Sequence, residues 1–296
     1  MRRIEGFIDI NRMLKKGELK KLEDYTDFSF IPNNMSVFID TNNEIYFFKH
    51  LLVGNPYSEL LAEELLKDFQ LPHAEYDLAI YNKEKGVITK NFRKKDKKYI
   101  SGEEILKDYL NSLNLDNKEY DLGYYNNLET FWNAIEYRYK KHPNKDIIIE
   151  KLMNQLVNLF IFDILVENFD RYCKNYQIEE GKDDINLAPI YDNESIALYL
   201  RSVSLGLEDG DSFLNYYESL KKFIDVSDFK SNEIIKGKLW IISGENIDDA
   251  LYRIERKTGY PVPDGIVVEY IKEFISHKEK IEKILDNNTK GDIYER

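Results

Sequence analysis

Residues 168–195 read NFDRYCKNYQIEEGKDDINLAPIYDNES and interrupt a second half of the chain that otherwise follows helical patterns. A long apolar pattern ends at residues 168–169, and Asp170 and Asn175 follow directly. Two short strand-like runs on either side of a polar turn then lead to Asp192. The stretch therefore predicts the end of a helix, a polar loop, a β-hairpin and then an acidic residue.

The part of the chain before residue 93 is predicted to be mostly β-strand with one helix. Alternating apolar and polar residues bounded by turn formers indicate the strands. Apolar residues at helical spacing indicate a helix over residues 56–70, with Ser58 as its candidate N-cap. The predicted strands cover residues 36–40, 45–49, 76–81 and 86–89.

The charged run RKKDKK at residues 93–98 marks a change of character, because helical patterns dominate the chain after it. The predicted helices cover residues 103–113, 128–140, 147–167, 213–224, 247–258 and 266–285. We expect a small β-rich lobe over residues 1–92 and a larger helical lobe over residues 93–296, with a cleft at their junction. The predicted fold class is therefore α+β with two lobes.

The charge and cysteine content argue against several classes of function. A formal net charge of −12 opposes non-specific binding to an anionic membrane, to DNA or to RNA, so no nucleic-acid binding is expected. A single cysteine, Cys173, excludes an intramolecular disulfide and a cysteine-rich zinc site. The most apolar segment, residues 147–166, carries charged residues, which favours a core helix over insertion into a membrane. The N-terminus shows no signal-peptide pattern, so the expected location is cytoplasmic.

The polar residues around the predicted hairpin suit phosphoryl transfer. That reaction needs positioned metal ions, a cation on the phosphates and a carboxylate beside the attacking hydroxyl. The spacing from Asp170 to Asn175 matches the catalytic loop of protein kinases, and Asp192 occupies the place of a second metal-binding acid. Upstream, Lys49 ends a predicted strand and Glu59 lies on the next helix, where kinases carry an ion pair that holds phosphates.

The paired motifs resemble those of a known family. The pattern Asn168-Phe169-Asp170-Arg171-x3-Asn175, followed by LAPIYDNES at residues 187–195, resembles the HipA-like serine/threonine kinases. The short CtkA-type members are more similar in length than HipA itself, whose extra N-terminal region has no counterpart here. Further support comes from NNEIYFFK at residues 42–49 and from the spacing of Glu59 to Pro72. The resemblance covers roughly residues 30–195.

This resemblance implies a two-lobed kinase-like fold, with ATP and Mg²⁺ as cofactors. It implies that Asp170 is the general base or positions the substrate hydroxyl, and that Asn175 and Asp192 bind Mg²⁺. Lys49 would contact the ATP phosphates and be oriented by Glu59.

The resemblance also implies a nucleotide site between the two lobes. The adenine would lie against residues 89–92, mainly through backbone groups of Lys90 and Phe92. Residues 30–36 would take the place of the phosphate-covering loop, and Ser36 would be a site of regulatory autophosphorylation. A serine or threonine of a protein substrate, the role of a toxin and an antitoxin or regulatory protein partner are further implications.

Three departures from the family pattern stand out. Residues 29–36 contain no glycine, although they are expected to cover phosphates. Tyr172 stands two residues after Asp170, where relatives often carry His. Asp192 is followed by Asn193 and not by Phe-Gly, so activation by a phenylalanine flip is not expected.

Several alternatives remain open at the level of the sequence. Glu63 and Glu64 lie one turn after Glu59 and compete with it as the partner of Lys49. Arg171 is expected to pair with an acid near the loop, and Cys173 to be a packing residue. The alternative functions are a lipid or small-molecule kinase of related fold, or a pseudokinase that binds ATP or a partner protein without turnover.

Overall fold

The computed structural model describes residues 3–4, 6–23, 25, 35–50, 57–114, 127–166, 168, 171, 173–182, 184–193, 218, 220–221, 244–259 and 274–286. The catalytic candidate Asp170 lies outside these residues, as do Tyr172 and most of the predicted helix over 213–224. The described residues form two β-sheets and a set of helices.

The larger sheet has seven strands. They are β1 (Arg3–Ile4), β2 (Phe7–Asp9), β3 (Leu19–Leu22), β4 (Met35–Asp40), β5 (Ile45–His50), β6 (Tyr76–Tyr81) and β7 (Glu84–Lys90). Their order in the sheet is β1-β2-β6-β7-β5-β4-β3. Neighbours pair antiparallel except β2 and β6, which are parallel. All four strands predicted from the pattern are present, and the structure adds β1, β2 and β3.

Local turn chemistry explains two hairpins of the larger sheet, β4–β5 and β6–β7. Between β4 and β5, Asp40 Oδ1 accepts hydrogen bonds from the backbone N–H groups of Glu44 (2.9 Å) and Asn42 (2.8 Å). The bond from Glu44 is the main reason why the pKa of Asp40 lies below its ordinary value. Between β6 and β7, Asn82 and Lys83 both have positive φ angles (51° and 70°), which two-residue hairpin turns require.

The helices begin and end close to their predicted positions. They are α1 (Ile10–Lys15), α2 (Tyr57–Asp68), α3 (Gly102–Ser112), α4 (Leu128–Tyr139), α5 (Lys145–Leu165) and α6 (Gly244–Thr258), with a further helical stretch over 274–286. The expectation that Ser58 caps α2 is wrong, because α2 already includes Tyr57 and Ser58 is a buried residue of its first turn. Helix α1 was not predicted.

The smaller sheet contains the predicted hairpin and one strand that the pattern did not indicate. Its strands are β8 (Lys98–Ser101), β9 (Gln177–Glu180) and β10 (Ile185–Leu187), in the order β10-β9-β8. Strand β8 follows the charged connector and pairs with β9, where Tyr99 donates a hydrogen bond to Glu179 (2.8 Å). A four-residue strand that gains its partner from a distant part of the chain leaves little local signal.

The core forms on both faces of the larger sheet. The main cluster joins the inner face of this sheet to α2, α4 and α5, and within it the rings of Phe69 and Phe162 lie 5.4 Å apart, edge to face. A smaller cluster on the other face packs α1 residues such as Ile10 against Phe38 and Phe48. Helix α2 is therefore buried between the sheet and the helices. Among the described residues, no helix is both long and apolar enough to cross a membrane.

A short backbone pairing brings the end of the hairpin region beside α2. His73 and Ile190 form a parallel bridge, in which Ala74 N–H donates to Ile190 O (2.9 Å) and Ile190 N–H donates to Pro72 O (2.8 Å). Because Ile190 stands two residues before Asp192, the bridge places this acid at the junction between α2 and the segment that follows β10.

Candidate active site

Lys49 is the centre of a charged cluster at this junction. Its Nζ donates to Glu59 Oε1 at 3.3 Å and also to Asp192 Oδ1. The Lys49 side chain is 13% exposed, Glu59 is completely buried and Asp192 is 32% exposed. The structure therefore brings together three of the predicted site residues, which come from β5, from α2 and from the segment after β10.

Glu59 is the acid on α2 that contacts Lys49, which resolves the choice among the three candidates. Glu63 and Glu64 instead contact Lys67 on their own helix, at 2.8 and 2.6 Å. They lie about one turn further along α2 than Glu59, so their carboxylates reach a different set of cations. The spacing in the sequence left this choice open.

The position of Lys49 depends on close packing between β5 and β7. Lys49 pairs with Val87 in the sheet register, and the neighbouring Gly86 lies against its backbone. A Cβ atom on Gly86 would lie 2.2 Å from Lys49 O and 2.8 Å from the ring of Phe48. Glycine at this position therefore allows β7 to approach the strand that carries the lysine.

Asp192 has an unusual backbone conformation. Its φ angle is 61°, in the left-handed region that few residues other than glycine adopt. Its N–H donates to the hydroxyl of Tyr76 at 3.4 Å. Burial, followed by the charges of Glu59 and Asp192, raises the pKa of Tyr76 well above its ordinary value, so this phenol stays neutral. Such backbone conformations persist where the surroundings hold them, and they occur often at functional sites.

Asn193 connects Asp192 to α2 and to Arg171. Its backbone N–H donates to Glu59 Oε2 at 2.9 Å, and its side-chain amide reaches the same oxygen at 3.3 Å. Its Oδ1 accepts a hydrogen bond from Arg171 at 2.5 Å. Glu59 thus holds Lys49 with one carboxylate oxygen and Asn193 with the other. In the sequence Asn193 stands out only as a departure from Phe-Gly, and this role was not predicted.

Arg171 is buried and joins several parts of the site. Its guanidinium forms a two-pronged pair with Asp163, with Nε–Oδ2 at 3.0 Å and Nη2–Oδ1 at 3.1 Å. Its Nη1 donates to the carbonyls of Tyr191 (2.7 Å) and Asn175 (3.3 Å). Burial alone would lower the pKa of Arg171, but the charge of Asp163 raises it. The prediction that Arg171 pairs with a nearby acid is confirmed, and that acid lies on α5.

Asn175 ends a short 3-10 turn, Cys173–Asn175, directly before β9. Its side chain is buried, and its carbonyl is the one that Arg171 contacts. Arg171 therefore bridges the backbone of Asn175 and that of the residue before Asp192. Asp170, the predicted base, lies outside the described residues. Cys173 is buried, and burial raises the pKa of its thiol, in keeping with a packing residue.

The connector predicted to contact adenine leads from β7 to β8. Lys90 is the last residue of β7, and its side chain pairs with Glu44 at 3.1 Å. The ring of Phe92 lies 5.7 Å from the ring of Tyr191. Burial, with the charge of Asp192 next, raises the pKa of Tyr191 to about 12. The structure thus brings Phe92 beside the residue that precedes Asp192.

Ser36 is not in a loop. It lies inside β4, opposite Phe48 in β5, because the pairing of the two strands continues back to Met35, opposite Lys49. The expectation that Ser36 belongs to a phosphate-covering loop is corrected in this respect. Residues 30–34 of the same expected loop lie outside the described residues.

The residues present suit a magnesium–nucleotide group. Asp192 provides a partly exposed carboxylate and Asn175 an amide, which are oxygen ligands of the kind that Mg²⁺ prefers, and Mg²⁺ often takes only one or two protein groups. Among the described residues, no cluster of three His, Cys, Asp or Glu side chains could form an all-protein metal cage. Lys49 adds a cation of the kind that phosphates require.

Asn193, Tyr76 and the specific role of Asp163 were not predicted. Asp163 did leave a signal, since it is an acid in the most apolar helix of the chain, and such a residue is usually buried with a partner. Tyr76 and Asn193 left none, because their contacts join parts of the chain more than a hundred residues apart.

Comparison with solved structures identifies the fold. The chain is similar to the crystal structure of the proinflammatory kinase CtkA from Helicobacter pylori, with a TM-score of 0.59 and 18% identity over 88% of this chain and 95% of that one. It is also similar to HipA from Shewanella oneidensis MR-1, solved in a toxin–antitoxin complex with HipB and operator DNA. There the TM-score is 0.56 and the identity 14%, over 94% of this chain and 71% of that one. The predicted α+β, kinase-like fold is confirmed.

Sequence comparison identifies the family. No curated protein matches the chain. The model of the HipA-like C-terminal domain matches residues 20–240, which is most of the chain and includes every predicted site residue. The resemblance to HipA-like proteins that the motifs indicated is therefore confirmed, and this chain belongs to the HipA-like C-terminal domain family.

Proposed function

We propose that this protein is an ATP-dependent serine/threonine protein kinase that also phosphorylates itself. The observation that carries the proposal is the contact of Lys49 with both Glu59 and Asp192. Protein kinases use a strand lysine, a helix glutamate and a metal-binding aspartate in this combination. We also propose that the two lobes divide after Phe92.

Each residue of the candidate active site has one role in the proposed reaction. Lys49 contacts the phosphates of ATP, and Glu59 keeps its ammonium group directed toward them. Asn175 and Asp192 hold Mg²⁺. Asp170 accepts the proton of the substrate hydroxyl or orients that hydroxyl for attack. Bound Mg·ATP supplies the phosphoryl group that is transferred.

The rigid support of these residues is part of the proposed mechanism. Phosphoryl transfer depends mainly on positioning and electrostatic stabilisation, so the protein must hold charged groups in place before the reaction. Arg171 and Asn193 do so here, because they tie Asp192 to Glu59 on one side and to Asn175 on the other.

In the proposed complex, backbone groups of Lys90 and Phe92 bind the adenine.

The proposed macromolecular partners are proteins. The substrate carries a serine or threonine, and Ser36 is a proposed site of autophosphorylation. An antitoxin or other regulatory protein is a further proposed partner, since the related HipA was solved with HipB. A net charge of −12 disfavours direct binding of nucleic acid by this chain.

The test is phosphoryl transfer from radiolabelled ATP in the presence of Mg²⁺. We expect label on serine or threonine of the wild-type protein or of an added protein substrate. Asp170→Ala and Asp192→Ala should lose transfer by more than about 10²-fold, since each removes a group that acts in the transition state. Asp96→Ala, which removes an exposed carboxylate from the connector, is the matched control and should transfer at the wild-type rate.

Three other outcomes would contradict this proposal. Transfer to a lipid or a small molecule in place of protein would make the chain a kinase of another substrate class. Binding of Mg·ATP without transfer would make it a pseudokinase. If the wild-type protein does not bind nucleotide at all, it is not a kinase.

A further inference from the structure

Helix α2 is held from outside by two cations of α6. Beyond Glu59, the next turns of α2 carry Glu63, Glu64 and Asp68, and the first two are buried. Lys257 and Arg253 of α6 reach these acids across an interface between distant parts of the chain. Buried carboxylates require such partners, because a lone charge in the protein interior is costly.

Lys257 contacts two elements at once. Its Nζ lies 3.1 Å from both carboxylate oxygens of Glu63, and it also donates to the carbonyl of Tyr76 at 2.6 Å. Glu63 Oε2 in turn accepts the backbone N–H of Tyr76 at 2.8 Å. Lys257 therefore fixes the start of β6 against α2.

Arg253 contacts α2 through side-chain and backbone atoms. Its Nε donates to Glu64 Oε2 at 2.6 Å, and its Nη2 lies 3.3 Å from Asp68 Oδ2 and 3.4 Å from Glu64 O. A planar guanidinium with several donors restricts both the rotation and the sliding of the helix that it contacts.

Both sets of contacts lead inward to the candidate active site. Glu59 lies one turn before Glu63 on the same helix, so a rotation of α2 moves it relative to Lys49. Tyr76, which Lys257 holds through its carbonyl, accepts the N–H of Asp192 with its hydroxyl. The α6 cations thus act on two members of the proposed catalytic group without contacting either.

We propose that Lys257 and Arg253 are positioning residues for phosphoryl transfer, which hold α2 and Tyr76 so that Lys49, Glu59 and Asp192 stay aligned. This inference rests on the proposed function. It differs from a purely stabilising role, because it requires that loosening α2 slows the reaction even when the protein remains folded. A displacement of about 1 Å at a reacting group can cost roughly a hundredfold in rate.

The test compares Lys257→Met and Arg253→Met with the wild-type protein. Lys257→Arg is the conservative variant. Arg256→Met is the matched control, because Arg256 is an exposed cation of α6 whose guanidinium lies 5.9 Å from the ring of Tyr252 on its own helix. Each protein is assayed for kcat and for KM of Mg·ATP, well below its melting temperature, and for hydrogen exchange of the α2 amides.

We expect Lys257→Met and Arg253→Met to lower kcat roughly ten- to a hundredfold and to speed exchange in α2. Lys257→Arg should restore most of the rate, and Arg256→Met should leave it unchanged. In a Glu59→Gln background the effect of Arg253→Met on kcat should largely disappear, since Arg253 acts on the site only through α2 and Glu59. Faster exchange with unchanged kcat would overturn the inference, and so would unchanged exchange in α2.

The proposed function can fail separately from this inference. If the wild-type protein transfers no phosphate to protein but binds a non-hydrolysable ATP analogue with Mg²⁺, the affinity for that analogue replaces kcat as the readout. Lys257→Met should then weaken it, and an unchanged affinity would contradict the positioning role. If the wild type binds no nucleotide, the proposed function is wrong and the positioning role with it, and the exchange data show whether α6 restrains α2 at all.

Discussion

A single buried guanidinium, that of Arg171, organises the site at the scale of residues. It pairs with the carboxylate of Asp163 on α5. It also donates hydrogen bonds to backbone carbonyls on either side of the hairpin and to the amide oxygen of Asn193. A lysine could supply the charge but not this planar set of donors. The two segments that carry Asn175 and Asp192 are therefore held together by one side chain.

Removing this side chain should destabilise the protein strongly. We expect Arg171→Met to lower the free energy of unfolding by about 3–5 kcal/mol, because it leaves Asp163 buried without its charge partner. The matched control is Lys151→Met, which breaks an exposed pair with Asp184 and should cost only about 0–1 kcal/mol. Denaturant unfolding measures both, and equal losses in the two variants would contradict the role assigned to Arg171.

At the scale of elements, the site depends on how closely β7 approaches β5. Gly86 allows this approach, since its missing side chain leaves room for the backbone of Lys49 and the ring of Phe48. The strands themselves follow from local patterns, but their separation depends on this one small residue.

We expect Gly86→Ala to destabilise the protein by roughly 1–3 kcal/mol and to weaken binding of an ATP analogue, because an overpacked contact displaces the strand that carries Lys49. Gly17→Ala is an informative control. Gly17 has a φ of 71° and, among the described residues, no heavy atom within 4 Å of an added Cβ. The Gly17→Ala substitution should lower the free energy of unfolding by about 1–2 kcal/mol through backbone strain alone. The affinity for the nucleotide should be unchanged. Unfolding curves measure the change in stability, and calorimetric titration measures the change in nucleotide affinity. An unaltered affinity in Gly86→Ala would contradict the role of Gly86 in placing Lys49.

At the scale of the whole molecule, α2 joins the sheet to the helices through charged groups. Glu64 is held by Lys67 and by Arg253 of α6, each at 2.6 Å. Burial alone would raise the pKa of Glu64, but hydrogen bonds from these two cations hold it below its ordinary value. The folded state therefore binds a proton at Glu64 less readily than the unfolded chain does.

This shift makes part of the stability depend on pH. The contribution of Glu64 is fully present above its unfolded pKa of about 4.3 and is lost as the pH falls through the lower folded pKa. We expect Glu64→Gln to be less stable than wild type at pH 7, with the two stabilities converging as the pH approaches 3. Thermal unfolding followed by circular dichroism measures the stability of both proteins at each pH. Glu136→Gln, which removes an exposed carboxylate, is the control. A constant difference across the pH range would refute the assignment.

Much of this architecture could be predicted from the chain's local patterns. The strands at residues 36–40 and 76–81, helix α4 and the hairpin before Asp192 all agree with prediction, because periodicity and turn chemistry act between near neighbours. Strand β8 could not be predicted in this way, since β9 lies far along the chain and supplies its hydrogen bonds. The family resemblance placed Ser36 in a loop over residues 30–36, whereas the local pattern placed it at the start of a strand, and the structure agrees with the local pattern.

The sequence alone determined the family, many of the helices and strands and the types of residue that carry the proposed chemistry, because these depend on motifs and on local spacing. Only the tertiary structure decided that Glu59, and not Glu63, meets Lys49, and that Asn193 links Glu59 to Arg171. The physical reason is the position of α2 along its axis and its rotation about it. Packing against the sheet on one side and α6 on the other sets both, and no local pattern in α2 encodes them.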